Sequence, residues 1–190
     1  MYLKLIHYSL FCDLALLLDA FGQSFLQPDI SVFRQNLESL ENLNAKLKLY
    51  HKKIFQDMML SPFLNVLLQV LLHKSHDLLQ EDICVTVYNM AAVNFEGFYA
   101  TFLPQFLASS EGLDANQRTI LECNFKHDQD LPSFSSTLHR FITDMRYYRL
   151  CNSALPEGSA QAMTTSHGLE QWNQIVTNSA IYKQYWLQMG

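Results

Sequence analysis

The sequence predicts an all-α fold of about six consecutive helices, and three observations carry that expectation. Apolar residues return at spacings of three and four along almost every segment. Proline, serine, aspartate and asparagine interrupt them at the intervals of ordinary globular helices. No stretch has a convincing strand partner, and no glycine-rich loop occurs. Two architectures satisfy this pattern, a compact bundle or a stack of antiparallel helix pairs. A helix, a turn and a second helix recur at about the spacing of HEAT-type units, without a strict sequence repeat.

The amino end, MYLKLIHYSLFCDLALLLDAFG, carries an apolar run that invites comparison with a leader peptide. His7, Asp13 and Asp19 interrupt it, and no small-x-small cleavage site follows. It is also too short and too charged for a membrane span, so an amphipathic helix is expected. Pro28 and Asp29 open the next helix, with Ile30, Phe33, Leu37 and Leu40 on one stripe. LYHKKIFQDMML follows, with Leu49, Ile54 and Met58 as its apolar positions. Ser61 is then expected to cap a helix and Pro62 to lie in its first turn. That helix, with Phe63, Val66, Leu67, Val70 and Leu71, is apolar over most of its circumference and needs cover on several sides.

HKSHD, residues 73–77, makes a polar turn. DICVTVYNMAAV is rich in β-branched residues, yet Ile83, Val87 and Ala91 keep helical spacing, and branching lowers helix propensity only slightly. Asn94 is placed to cap a helix bearing Phe95, Phe98, Phe102 and Phe106, in which Pro104 predicts a kink or an early end. A loop then leads to a helix from about Asp114, with Ile120, Leu121 and Phe125 facing inward. DLPSF opens the last strong helix, where Pro132 near the start forgoes only an amide hydrogen that has no partner anyway.

Composition narrows the function. Apolar residues make up 49% and charged residues 16%, which implies a large core or an apolar face meant for another surface. A net charge of −5 excludes general binding to a nucleic-acid backbone. Cys12, Cys84, Cys123 and Cys151 are scattered without metal-site spacing, and are expected as buried free thiols of a reducing compartment. His73 and His76, with Asp77 and the more distant His51, come nearest to a metal site but lack a ligand set; solvated histidines are expected there. Glu111, Asp114, Asp128 and Asp130 are loop acids without calcium-loop spacing, expected to cap helices and face solvent. No HEXXH, GXSXG or P-loop pattern occurs, so no enzyme activity, cofactor or metal is expected. Phe95, Phe98, Tyr99 and Phe102 could form a base-stacking platform, but their helical spacing and the want of a cationic groove make them core.

DMRYYRLCN, residues 144–152, brackets a tyrosine pair with arginines. On a helix from Ser133 the residues Phe134, Leu138, Phe141, Met145 and Tyr148 form one stripe, with Ile142 beside it. Tyr147 then points most directly away, Arg140 and Arg146 fall on opposite sides, and Arg149 lies nearer the stripe. Arginines at a helix's carboxyl end complement its dipole, and Arg149 is placed to lay its stem over the core edge. Arg140 and Tyr147 remain as partner-contact candidates.

Several strings are similar to the carboxyl-terminal end of exportins, the nuclear export receptors of the importin-β superfamily. They are AFGQSFLQPDI, LYHKKIF, NVLLQVLLHKSHDLLQEDI, FLPQFL, LDANQR and DLPSFSSTLHRFITDMRYYRLCNSALP, spread between Ala20 and Pro156. The resemblance implies an α-solenoid of antiparallel HEAT-like helix pairs. It also implies a receptor, moving between nucleus and cytoplasm, that carries actin with profilin out of the nucleus together with GTP-bound Ran. The principal Ran-binding repeats of such receptors lie in an amino-terminal part that this chain lacks, so a piece containing only the last repeats is expected. The domain organisation that follows is a divergent amino-terminal helix (1–19), exportin-like repeats (20–157) and a divergent tail (158–190). In the tail Leu169, Trp172, Val176, Ala180 and Leu187 could line a loose helix. The alternative reading of the residues is an independent helical binding module or a secreted bundle, with neither nucleic acid nor membrane as partner.

Overall fold

The computed structural model describes residues 20–25, 29–74 and 76–153, and the expected helix of residues 1–19 and tail stripe beyond 158 lie outside them. The described residues are helical with no strand. Their helices are α1 (Ile30–Leu47), α2 (Lys53–Met58), α3 (Leu60–His73), α4 (Gln80–Ala91), α6 (Ala115–Asn124) and α7 (Leu131–Ser153). Between α4 and α6 lies α5, made of Phe95–Gly97, a π turn Phe98–Phe102 and a regular stretch Leu103–Ser109. The described residues divide into two compact units, one up to Val66 and the other from Leu67 onward.

In the first unit Asp29 caps α1, its carboxylate accepting from the Ser31 and Val32 amides at 2.7 and 3.2 Å. Phe33, Leu37 and Leu40 are buried as expected, while Ile30 at the exposed first turn is only half-buried. α1 ends where Lys48 takes a left-handed conformation, φ 53°, and its amide returns to the Asn44 carbonyl at 2.8 Å. The Asn44 side chain then accepts from the Tyr50 amide, and the buried Tyr50 hydroxyl donates to Glu41 at 2.8 Å. These bonds hold a short 3₁₀ turn, Leu49–His51, against the end of α1. The next segment buries Leu49 and Phe55 rather than Ile54 and Met58, because this turn resets the helical phase before α2 begins. Phe25 packs on Phe33 and Phe63 at 5.1 and 5.7 Å between ring centres, and Phe55 meets Phe63 at 5.6 Å.

Helix α3 begins at Leu60, so Ser61 is an exposed helical residue and not its cap; Pro62 does lie in the first turn. Buried residues occur around most of its circumference, Phe63, Leu64, Val66, Leu67, Leu68, Val70, Leu71 and Leu72, as its composition required.

In the second unit α4 and α6 both run antiparallel to α7. Asp77 faces Arg146, Cys84 faces His139 and Tyr88 faces Phe134 along one side. Gln117 meets Asn152 and the Asn124 carbonyl meets Arg140 along the other. Helix α4 keeps Ile83, Val87 and Ala91 buried, in keeping with its helical spacing. Asn94 caps α5 by accepting from the Gly97 amide at 2.9 Å. Pro104 does not end α5, which continues to Ser109. The Leu103 amide bonds to the Phe98 carbonyl five residues back, so the backbone widens into a π turn just ahead of the residue that cannot donate.

Asp114 starts α6 with a reciprocal capping box, accepting from the Gln117 amide at 2.8 Å while Gln117 accepts from the Asp114 amide at 3.0 Å. Leu121 and Phe125 face inward, but Ile120 is 37% exposed, about one hundred degrees around the helix from Leu121. Phe134 is the hub of the aromatic core, with ring centres of Tyr88, Phe98 and Phe125 at 5.5, 5.7 and 6.1 Å. Phe98, Tyr99 and Phe102 are buried and Phe95 half-buried, so the phenylalanine cluster is core, as its spacing indicated.

Candidate functional site

Helix α7 carries the residues singled out in the sequence, and the structure assigns each a different task. Phe134, Leu138, Phe141, Ile142 and Met145 are buried, and Tyr148 at the end of that stripe is half-buried. Tyr147 is 63% exposed on the outer side, with Leu150 beside it at 69%. Arg140 is exposed, and its Nη2 donates to the Asn124 carbonyl at 2.7 Å, closing the carboxyl end of α6. Arg140 and Tyr147 are two turns apart, so they lie on one side of α7.

Arg146 is used inside the fold. Its Nε donates to the Leu72 carbonyl at 3.2 Å, its Nη2 donates to the Leu71 carbonyl, and Nη2 lies 3.6 Å from Asp77 Oδ1. Dipole complementarity with its own helix is therefore the lesser part of its role, since it caps the end of α3. That helix terminates at Lys74 in a left-handed conformation, φ 55°, where an ordinary side chain is strained. Arg149 is half-buried with its Cγ against Gly112, as expected of a stem laid over the core edge. More of it is buried than that reading allowed: Nε is enclosed without a hydrogen-bond partner among the described residues. Burial pulls its pKa below the ordinary value, and Glu111 opposes that shift.

The histidines require a correction. His76 is not a solvated surface residue but only 5% exposed, although Lys74 and Asp77 close to it in the chain are exposed. Burial pushes its pKa down; at His73, which is exposed, burial of the ring and the nearby Arg149 charge act in the same direction. Among the described residues no group of three or more histidine, cysteine or acidic side chains could hold a metal ion.

The cysteines divide. Cys84, Cys123 and Cys151 are free thiols, but only Cys84 is buried. Cys123 stands two residues from the inward Leu121, and thus across α6 from it; Cys151 shares the exposed side of α7 with Tyr147. Cys12 lies outside the described residues.

One pairing escaped the sequence. Cys84 Sγ lies 3.2 Å from His139 Nε2, which is itself 3.7 Å from Glu81 Oε1. A thiol beside an imidazole and a carboxylate has the outline of a nucleophile site, but burial, and then the Glu81 charge, push the thiol up to about 12. A nucleophile needs the opposite shift, so this contact ties α4 to α7. Its members are 55 positions apart, and no local spacing announces it.

Comparison with known proteins places this architecture. A family model described as "Exportin-6, C-terminal TPR repeats" matches residues 7–151. Exportin-6 of Homo sapiens and of Mus musculus are each 63% identical to the chain over 145 residues, 76% of this chain and 13% of the relative. Exportin-6 of Dictyostelium discoideum is 36% identical over 138 residues, 72% of this chain and 13% of that protein. No solved structure matches the chain.

The helical pairs and these matches define a class: an all-α solenoid segment of the exportin type. The chain belongs to the exportin-6 family and corresponds to its carboxyl-terminal repeats, spanning 13% of the length of its curated relatives. The family description speaks of TPR repeats where the sequence suggested HEAT-like ones; both stack antiparallel helix pairs. Among the described residues no helix is long and apolar enough to cross a membrane.

Proposed function

We propose that this chain supplies the last repeats of a receptor that carries actin with profilin out of the nucleus together with GTP-bound Ran. The observation that carries the reading is the 63% identity to exportin-6 over 145 residues. In this reading the protein moves between nucleus and cytoplasm, is not an enzyme and needs no cofactor. The repeats 20–157 contribute shape and cargo surface, and the main Ran site belongs to a part of the receptor not represented here. We take residues 158–190 as a divergent extension of that repeat region, while residues 7–19, set apart by the sequence reading, fall within the family match. Arg140 and Tyr147, exposed on one side of α7, are the contact residues we assign to a protein partner.

The test is retention on the immobilised chain, offered profilin–actin with and without GTP-loaded Ran. Retention of profilin–actin that is indifferent to Ran, with no retention of Ran itself, is expected. Tight binding that requires Ran would contradict the assigned division of labour, and complete loss of cargo would remove the cargo surface from these repeats.

A further inference from the structure

Between the α6–α7 loop and the first turns of α7 lies an open cleft of about 390 Å³. Its lining combines two cations, Lys126 and Arg140, with the hydroxyls of Ser133, Ser136 and Thr137 and the carboxylate of Asp128. Contacts from three elements hold the cleft in place. Tyr99 of α5 donates its hydroxyl to the Asp128 carbonyl at 2.5 Å, Tyr88 of α4 donates to the Gln129 carbonyl at 3.0 Å, and Thr137 of α7 donates to Asp128 Oδ2 at 2.8 Å. The Arg140 guanidinium is oriented by its bond to the Asn124 carbonyl, which occupies one of five donors and leaves others available. Lys126 is exposed and makes no ion pair or hydrogen bond among the described residues.

The charges in the cleft select a ligand chemistry. Lys126 and Arg140 ask for an oxyanion, but Asp128 shares the cleft and Asp130 sits at its rim, capping the Ser133 amide at 3.0 Å. A bare anion would satisfy the cations and face the Asp128 carboxylate with nothing to donate. A peptide supplies both halves: a side-chain carboxylate for the cations and the adjoining backbone N–H for the carboxylate. The chain's net charge of −5 repels acidic peptides in general, so attraction has to come from the local cation pair.

We propose that this cleft binds an acidic peptide segment of a protein partner, with a glutamate or aspartate carboxylate between Lys126 and Arg140 and the neighbouring amide donating to Asp128. The site rests on these residues and stands whether or not actin is the cargo. Its test is a titration of the ¹⁵N-labelled full chain with the blocked peptide Gly-Asp-Glu-Glu-Gly, the amide control Gly-Asn-Gln-Gln-Gly, and inorganic phosphate. The acidic peptide is expected to shift amides between Lys126 and Arg140, and the control peptide and phosphate to bind at least about tenfold more weakly. Lys126→Ala, which removes no internal contact, is expected to weaken peptide binding about three- to fivefold, as suits an exposed charge pair. Raised salt acts in the same direction. Arg140→Gln is expected to weaken it further, with the unchanged remainder of the spectrum showing that α6 still folds. Equal binding of the amide control, an equal response to phosphate alone, or indifference to Lys126→Glu would each overturn the proposal.

Discussion

Replacing Arg146 with alanine is the most informative single perturbation of the second unit. Its side chain is 19% exposed, and the guanidinium donates to the carbonyls of Leu71 and Leu72 and pairs at 3.6 Å with the half-exposed Asp77. A hydrogen bond from a charged donor contributes about 1.5–3 kcal/mol, and two share one guanidinium here, with water offsetting part of their loss at the rim. The Asp77 pair adds roughly 0.2–1 kcal/mol, since Asp77 itself is 56% exposed. The expected cost is therefore about 2–4 kcal/mol, most of it from uncapped α3 carbonyls. At a urea slope of about 2 kcal/mol/M this moves the unfolding midpoint by roughly 1–2 M. Arg146→Lys is expected to recover about half of the loss, because an ammonium cannot present the same planar fork to two carbonyls. A double-mutant cycle with Asp77→Asn separates the pair from the cap and is expected to show coupling below about 1 kcal/mol. A loss under about 0.5 kcal/mol for Arg146→Ala, or an equal loss from Asp77→Asn alone, would refute the capping role.

Three further outcomes are expected. Burial lowers the folded-state pKa of His76 and His73, so near pH 6.5 the unfolded chain takes up protons that the folded chain resists. Stability is then fully present above about pH 7 and falls with decreasing pH, and His76→Gln should flatten urea midpoints measured from pH 7.5 to 5.5. Glycine at Lys48 or Lys74, the two non-glycine residues with positive φ among the described residues, should raise stability by about 0.5–1 kcal/mol each in the same assay. Phe134→Ala, which empties the hub of four helices' aromatic packing, should cost about 3–5 kcal/mol and abolish a cooperative transition of the second unit.

What could be read in advance was local. The stripes of α1, α4 and α7 and the caps at Asp29, Asn94 and Asp114 follow from spacing and side-chain chemistry within one or two turns. Three readings failed because a neighbouring element decided them. The 3₁₀ turn after α1 rephased α2, so Phe55 and not Met58 is buried; His76 is buried between exposed neighbours by the packing around it; and α3 took the guanidinium of Arg146. Pro104 shows another limit, since a missing donor can be accommodated by a π turn as well as by a kink. Pairings such as Cys84 with His139 need two helices already in register. The two proposed contact residues were legible as outward positions, whereas the cleft at Lys126 and Arg140 needed the α6–α7 loop in place.

The proposal that these repeats serve an actin export receptor is tested most directly by exchange. Residues 7–151 replace the matching segment of human exportin-6, and nuclear actin is measured in cells depleted of the native receptor. The chimera, expressed at the level of the intact receptor, is expected to restore low nuclear actin. A chimera equally abundant and cooperatively folded that leaves actin in the nucleus would contradict it.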